Sequence, residues 1–143
     1  MEQKFQRDLN ELSRIVAFSD AFFASEAVDP TLRNIVELCV EELFVNLVTY
    51  NRETSEEILI TLESNGKDEG EGEGIRVSLT DYNVDRFDPR SAPSPNVEAP
   101  LEERTPGGLG LYLVMKMADA IQYEYLDRTS KITFVKNGNS QHV

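Results

Sequence analysis

The sequence predicts an α+β protein, a two-layer sandwich in which helices cover one face of a mixed, mostly antiparallel sheet. Three observations carry this reading. Two segments with helical apolar spacing open the chain, two alternating β-branched segments follow, and an apolar helical segment with two further strands closes it. The order is helix, helix, strand, strand, long loop, helix, strand, strand. A doubly wound domain would instead alternate strand and helix.

Each element has its own signal. From Asp8 to about Ala27, Leu9, Leu12, Val16, Phe22 and Phe23 fall close to helical spacing. Asp29-Pro30 then supplies an N-cap followed by proline at the first helical position, opening a second helix that runs to about Tyr50. Its apolar side is Leu32, Val36, Val40, Leu43 and Leu47, with Ile35 and Cys39 alongside. Glu57–Glu63 and Ile75–Thr80 alternate and read as strands. Between them, Asn65–Gly74 is acidic and glycine-rich, a solvated hairpin loop rather than a cation site. From Asn83 to Pro106 there is no sustained periodicity, and Pro89, Pro93, Pro95, Pro100 and Pro106 fall within it. An irregular segment of that length in a compact domain is usually functional or mobile. Leu109–Ala118 reads as an apolar helix, Ile121–Leu126 and Lys131–Val135 as the last strands, and residues 137–143 as a flexible tail. No internal repeat is present.

The 143 residues fit one domain spanning 1–143. With 26 acidic against 14 basic residues the formal net charge is -12. Such a balance argues against a nucleic-acid surface, which needs clustered Lys and Arg, and against anionic lipid. It suits a basic partner, or solubility alone. The N-terminus lacks the apolar segment of a signal peptide, and no stretch approaches the ~18 apolar residues of a membrane span, so a cytoplasmic location is expected. The one cysteine, Cys39, lies in an apolar helical pattern and reads as a buried structural thiol.

Three constellations carry chemistry. Glu42 and Asn46 are four residues apart and share one helix face, where Asn interrupts an apolar run. A carboxylate beside an amide carbonyl offers oxygen ligands for Mg²⁺ and a general base; a solvated Glu with an incidental Asn is the plainer alternative. Thr80-Asp81-Tyr82-Asn83 and Phe87-Asp88-Pro89 leave a strand. There Asp81 can accept from an exocyclic amine, or close an Asx turn. Thr105-Pro106-Gly107-Gly108-Leu109-Gly110-Leu111 enters a helix, and glycines there let backbone N–H groups approach a phosphate. No Gly-Lys-Ser or Gly-Lys-Thr follows, so this is not a Walker A loop.

Taken in this order and spacing, the three resemble the ATP-binding domain shared by histidine kinases, gyrase-type ATPases and Hsp90-type chaperones, the Bergerat-type fold. Within it the chain is similar to the short stand-alone anti-sigma factors with serine/threonine kinase activity. The resemblance runs from about Thr31 to Lys136. It implies that Asn46 ligates Mg²⁺ bridging the phosphates of ATP and that Glu42 is the general base for the attacking hydroxyl. Asp81 would receive the adenine amino group, with Asn83 beside it. Arg104, Gly107, Gly108, Leu109 and Gly110 would hold the phosphates, and residues 83–106 would be the ATP lid. The implied partners are a small anti-anti-sigma protein, phosphorylated on serine or threonine, and a sigma factor; a homodimer is also implied.

Two departures bear on the adenine end. Asn83 replaces the glycine usual in Asp-x-Gly, and Thr129-Ser130-Lys131 stands where Gly-x-Thr is frequent. Asn is the non-glycine residue that best tolerates positive φ. These departures leave a nucleotide-dependent binding module without transfer as the alternative. The catalytic domain of a histidine kinase is disfavoured, since the single histidine is His142 in the tail.

Overall fold

The computed structural model describes residues 1–26, 29–50, 54–65, 74–86 and 114–137. They form strand β1 (Glu2–Phe5), helix α1 (Leu12–Ala24), helix α2 (Pro30–Tyr50), and strands β2 (Ile58–Asn65), β3 (Gly74–Tyr82), β4 (Ala120–Leu126) and β5 (Thr129–Asn137). The five strands make one sheet in the order β1-β2-β3-β5-β4. Every pairing in it is antiparallel, so the parallel component of the expected mixed sheet has no counterpart among the described strands.

Both helix starts follow from their caps. Asp8 accepts a 2.9 Å hydrogen bond from the Asn10 amide, but the first turn, Leu9–Glu11, is 3₁₀, and α1 proper begins only at Leu12. Leu9, expected on the apolar face, is 47% exposed in consequence, and Ile15 and Phe18 carry that face instead. At α2, Asp29 accepts from the Thr31 amide at 2.8 Å, and Pro30 is the first helical residue. Of its expected apolar side, Leu32, Val36, Cys39, Val40, Leu43 and Leu47 are buried, and Ile35 packs half-buried against them.

The strand at the N-terminus was not legible as one. Its four residues carry one core side chain, Phe5, and depend on β2, with Phe5 opposite Ile58. Phe5 meets the α1 ring of Phe18 edge-on, centroids 5.6 Å apart. Strand alternation sends one set of side chains toward the helices. Across the sheet those positions form rows. One runs Leu62, Val77, Phe134, Ile121; the next runs Ile60, Leu79, Ile132, Tyr123. The third, Phe5, Ile58, Asp81, Ser130, Tyr125, turns polar in its middle. That break marks the candidate site.

β4 and β5 are joined by Asp127 and Arg128, at φ 52° and 60°, the conformation of a two-residue I′ hairpin turn. Residues 114–117 are helical, matching the C-terminal part of the helix expected over Leu109–Ala118. The remainder of that helix, the glycine-rich loop at 66–73 and the tail from 138 lie outside the described residues. Among the described residues no helix is long and apolar enough to cross a membrane.

Candidate nucleotide site

Alternation along β3 brings Asp81 onto the inner face after Val77 and Leu79, so its carboxylate is buried with no exposed surface. Arg7, in the link between β1 and the 3₁₀ turn, forms an ion pair with it, Nη2 with Oδ1 and Nη1 with Oδ2. The same guanidinium donates from Nη2 to the Glu56 carbonyl at 3.2 Å and from Nη1 to the Leu47 carbonyl at 3.4 Å. Only 7% of the Arg7 side chain is exposed, and its Nε has no hydrogen-bond partner among the described residues. The N-terminal link, α2, the approach to β2 and the end of β3 therefore converge on one cation. Nothing in the sequence singles out Arg7, whose partner is 74 residues away.

Asn46, one residue before the Leu47 that Arg7 touches, is 2% exposed, and its Oδ1 has no hydrogen-bond partner among the described residues. A buried carbonyl left unpaired costs about 1–3 kcal/mol. A hard cation supplies the missing partner, so Asn46 fits the role of an oxygen ligand for Mg²⁺. Among the described residues no group of three or more His, Cys, Asp or Glu side chains could hold a metal. A metal at Asn46 would draw its other ligands from water and phosphate oxygens, as Mg²⁺ does in nucleotide sites.

Glu42 lies one turn before Asn46 on the same face and is half-buried. Its neighbour Glu41 titrates above the usual carboxylate range, because burial disfavours its charge and Glu37 and Glu42 add repulsion. Cys39 is buried, and loss of hydration pushes its thiol up to about 11, which fits a structural cysteine and not a nucleophile.

Past the end of β3, where the sequence leads one to expect the adenine contacts, Asn83 adopts φ 58°, the left-handed conformation expected of a residue in place of glycine. Its Oδ1 accepts from Arg128 Nε at 3.0 Å, and its carbonyl from Nη2 at 3.3 Å. The Val84 amide donates to the Arg128 carbonyl at 2.9 Å, and the Tyr125 hydroxyl to the Val84 carbonyl at 2.7 Å. The chain leaving β3 is thus tied to the β4–β5 hairpin where the long segment at 83–106 begins. Ser130, from the triplet that departs from Gly-x-Thr, is buried and stands opposite Asp81 in the β3–β5 register. A hydroxyl therefore remains next to that carboxylate. Arg104, Gly107, Gly108, Leu109 and Gly110, and the expected lid beyond residue 86, lie outside the described residues.

Comparison with known proteins gives a family and several similar solved structures. Residues 5–136 match the family described as the histidine kinase-like ATPase domain. No curated protein matches the sequence. Among solved structures, the chain is similar to the Acinetobacter baumannii histidine kinase AdeS, at 14% identity and a TM-score of 0.46, over 98% of this chain and 68% of that one. The family match spans nearly the whole sequence and brings ATP binding with it. The chain belongs to the histidine kinase-like ATPase domain family.

Proposed function

We propose that this protein is an ATP-binding regulator that phosphorylates a serine or threonine of a small antagonist protein and sequesters a sigma factor. The observation that carries the proposal is the buried, unpartnered Oδ1 of Asn46 one helical turn from Glu42. A buried oxygen without a partner is costly in a core, and a bound cation would relieve that cost.

On this reading Asn46 holds Mg²⁺ through Oδ1, Asp81 and Asn83 form the base end, and Arg104, Gly107, Gly108, Leu109 and Gly110 receive the phosphates. Bound Mg²⁺-ATP supplies the phosphoryl group and the neutralisation of its charge. Glu42 orients the incoming hydroxyl and accepts its proton at a carboxylate oxygen. Half-burial suits Glu42 to this, since it reaches the site while remaining accessible to a protein substrate. Catalysis of this kind is chiefly positioning and electrostatics, and few residues suffice. We further propose a cytoplasmic protein acting as a homodimer.

The test is incubation with Mg²⁺-ATP and a candidate antagonist. Transfer to a serine or threonine of the antagonist, abolished in Glu42→Ala while nucleotide still binds, supports the reading. ATP bound with no phosphate on any antagonist refutes the kinase role. It would favour a nucleotide-dependent binding module, a reading that gains weight from the engagement of Asp81 by Arg7.

A further inference from the structure

We propose that Arg7 sets the nucleotide affinity of this site, as a residue that must leave Asp81 before a base can bind there. The proposal rests on the reading of Asp81 as the base-recognition carboxylate.

Both oxygens of Asp81 meet terminal nitrogens of Arg7, and the carboxylate has no exposed surface while the guanidinium stays. A carboxylate has lone pairs enough for more than one donor, so an ion pair does not by itself bar a second one. Space is what fails. A planar base approaching Asp81 from the helix side meets a cation that also grips the Leu47 and Glu56 carbonyls.

The docked state of Arg7 is not fully satisfied. Its Nε is buried without an acceptor among the described residues, a cost that vanishes once the side chain moves toward water. A destination adjoins it. A cleft of about 600 Å³ is lined by Gln6, Arg7, Asp8, Val48, Thr54, Ser55 and Glu57, and two of these are carboxylates that can take the guanidinium. Phe5 anchors β1 in the core, so the motion belongs to the side chain and link at residues 6–8 and not to the whole strand. A ligand whose competent state is only fractionally populated binds more weakly by that fraction. Arg7 therefore lowers affinity for nucleotide, and nucleotide in turn loosens Arg7 by the same factor.

The experiment is titration of the full chain and of Arg7→Gln with Mg²⁺-ADP by calorimetry. The expected result is binding by both, with Arg7→Gln tighter by about tenfold or more, corresponding to a competent fraction of about a tenth or less in the parent. Equal affinities, or weaker binding by the variant, overturn the proposal and leave the nucleotide site standing. Absence of binding to either protein overturns the nucleotide-site reading and this proposal together. Because Arg7→Gln strands a buried carboxylate and can unfold the chain, a second measurement uses the unaltered protein. Nitrogen-15 NMR of the Arg7 guanidinium is expected to show protected protons without ligand, and protection lost on saturation with Mg²⁺-ADP. Protection that persists at saturation overturns the proposal.

Discussion

Asn46→Leu separates the two costs that meet at this site. In the nucleotide-free protein the substitution removes a buried carbonyl oxygen with no partner. The desolvation cost of such a group is about 1–3 kcal/mol. Leucine is close to asparagine in reach, and it is the better helix former by a few tenths of a kcal/mol, here about one turn before the C-terminal end of α2. Leu43, one turn before it, and the adjacent Leu47 are buried and apolar, so the substitution places an apolar side chain among apolar ones. The expected outcome is stabilisation by about 2 kcal/mol, the desolvation gain less some repacking strain. For a chain of this size that corresponds to a rise of roughly 5–10 °C in Tm. Mg²⁺-nucleotide should distinguish the two proteins. At about a hundredfold excess over Kd, ligand stabilises a competent site by about 2.7 kcal/mol, and the variant should lose that increment. Thermal unfolding followed by circular dichroism, with and without Mg²⁺-ADP, reads both effects. A variant less stable than the parent without nucleotide would refute the reasoning, because Oδ1 would then have a partner in the folded chain. A ligand-induced rise undiminished in the variant would refute the role of Asn46 in binding.

Three further outcomes follow from the same structure. Glu41 has its carboxyl raised by burial and by Glu37 and Glu42, so its charge opposes folding above that raised value, and the penalty is relieved as pH falls through it. Glu41→Gln should therefore stabilise near neutral pH, by less than about 1 kcal/mol because water screens the group, with the gain vanishing in urea unfolding below about pH 4. Cys39 is 1% exposed with its thiol pushed up to about 11, so iodoacetamide at mildly alkaline pH should spare it in the folded protein and modify it in denaturant; modification of native protein at the unfolded rate would contradict this. Asn83→Ala should cost about 1–2 kcal/mol in denaturant unfolding, since φ 58° is unfavourable for alanine and the Arg128 bond is lost, and Asn83→Gly should cost less.

Elements written in short-range patterns were legible from the sequence with their boundaries nearly right. The span of α2 follows from Asp29-Pro30 and an apolar repeat, and β3 and β5 extend their sequence-based strands by only a few residues. Asn46 stood out as polar in an apolar run, and Asn83 as the glycine substitute able to hold positive φ. Such signals are local because capping, helical period and backbone sterics act within a few residues.

Tertiary structure alone decided the rest. β1 shows no pattern of its own, since a four-residue edge strand with one buried side chain gains its order from pairing with β2. The 3₁₀ start of α1 put Leu9 in water despite its helical spacing. Above all, the sequence marked Asp81 as a carboxylate at the end of a strand but gave no sign that Arg7 would be its partner. That contact spans 74 residues of chain and exists only because β1 docks beside β2 and α2 crosses the sheet above Asp81. The sequence singled out the side chains proposed to hold a nucleotide and a metal. Packing decided what the carboxylate among them meets, because burial of Asp81 leaves its charge in need of a cation, and the fold brings Arg7 to it.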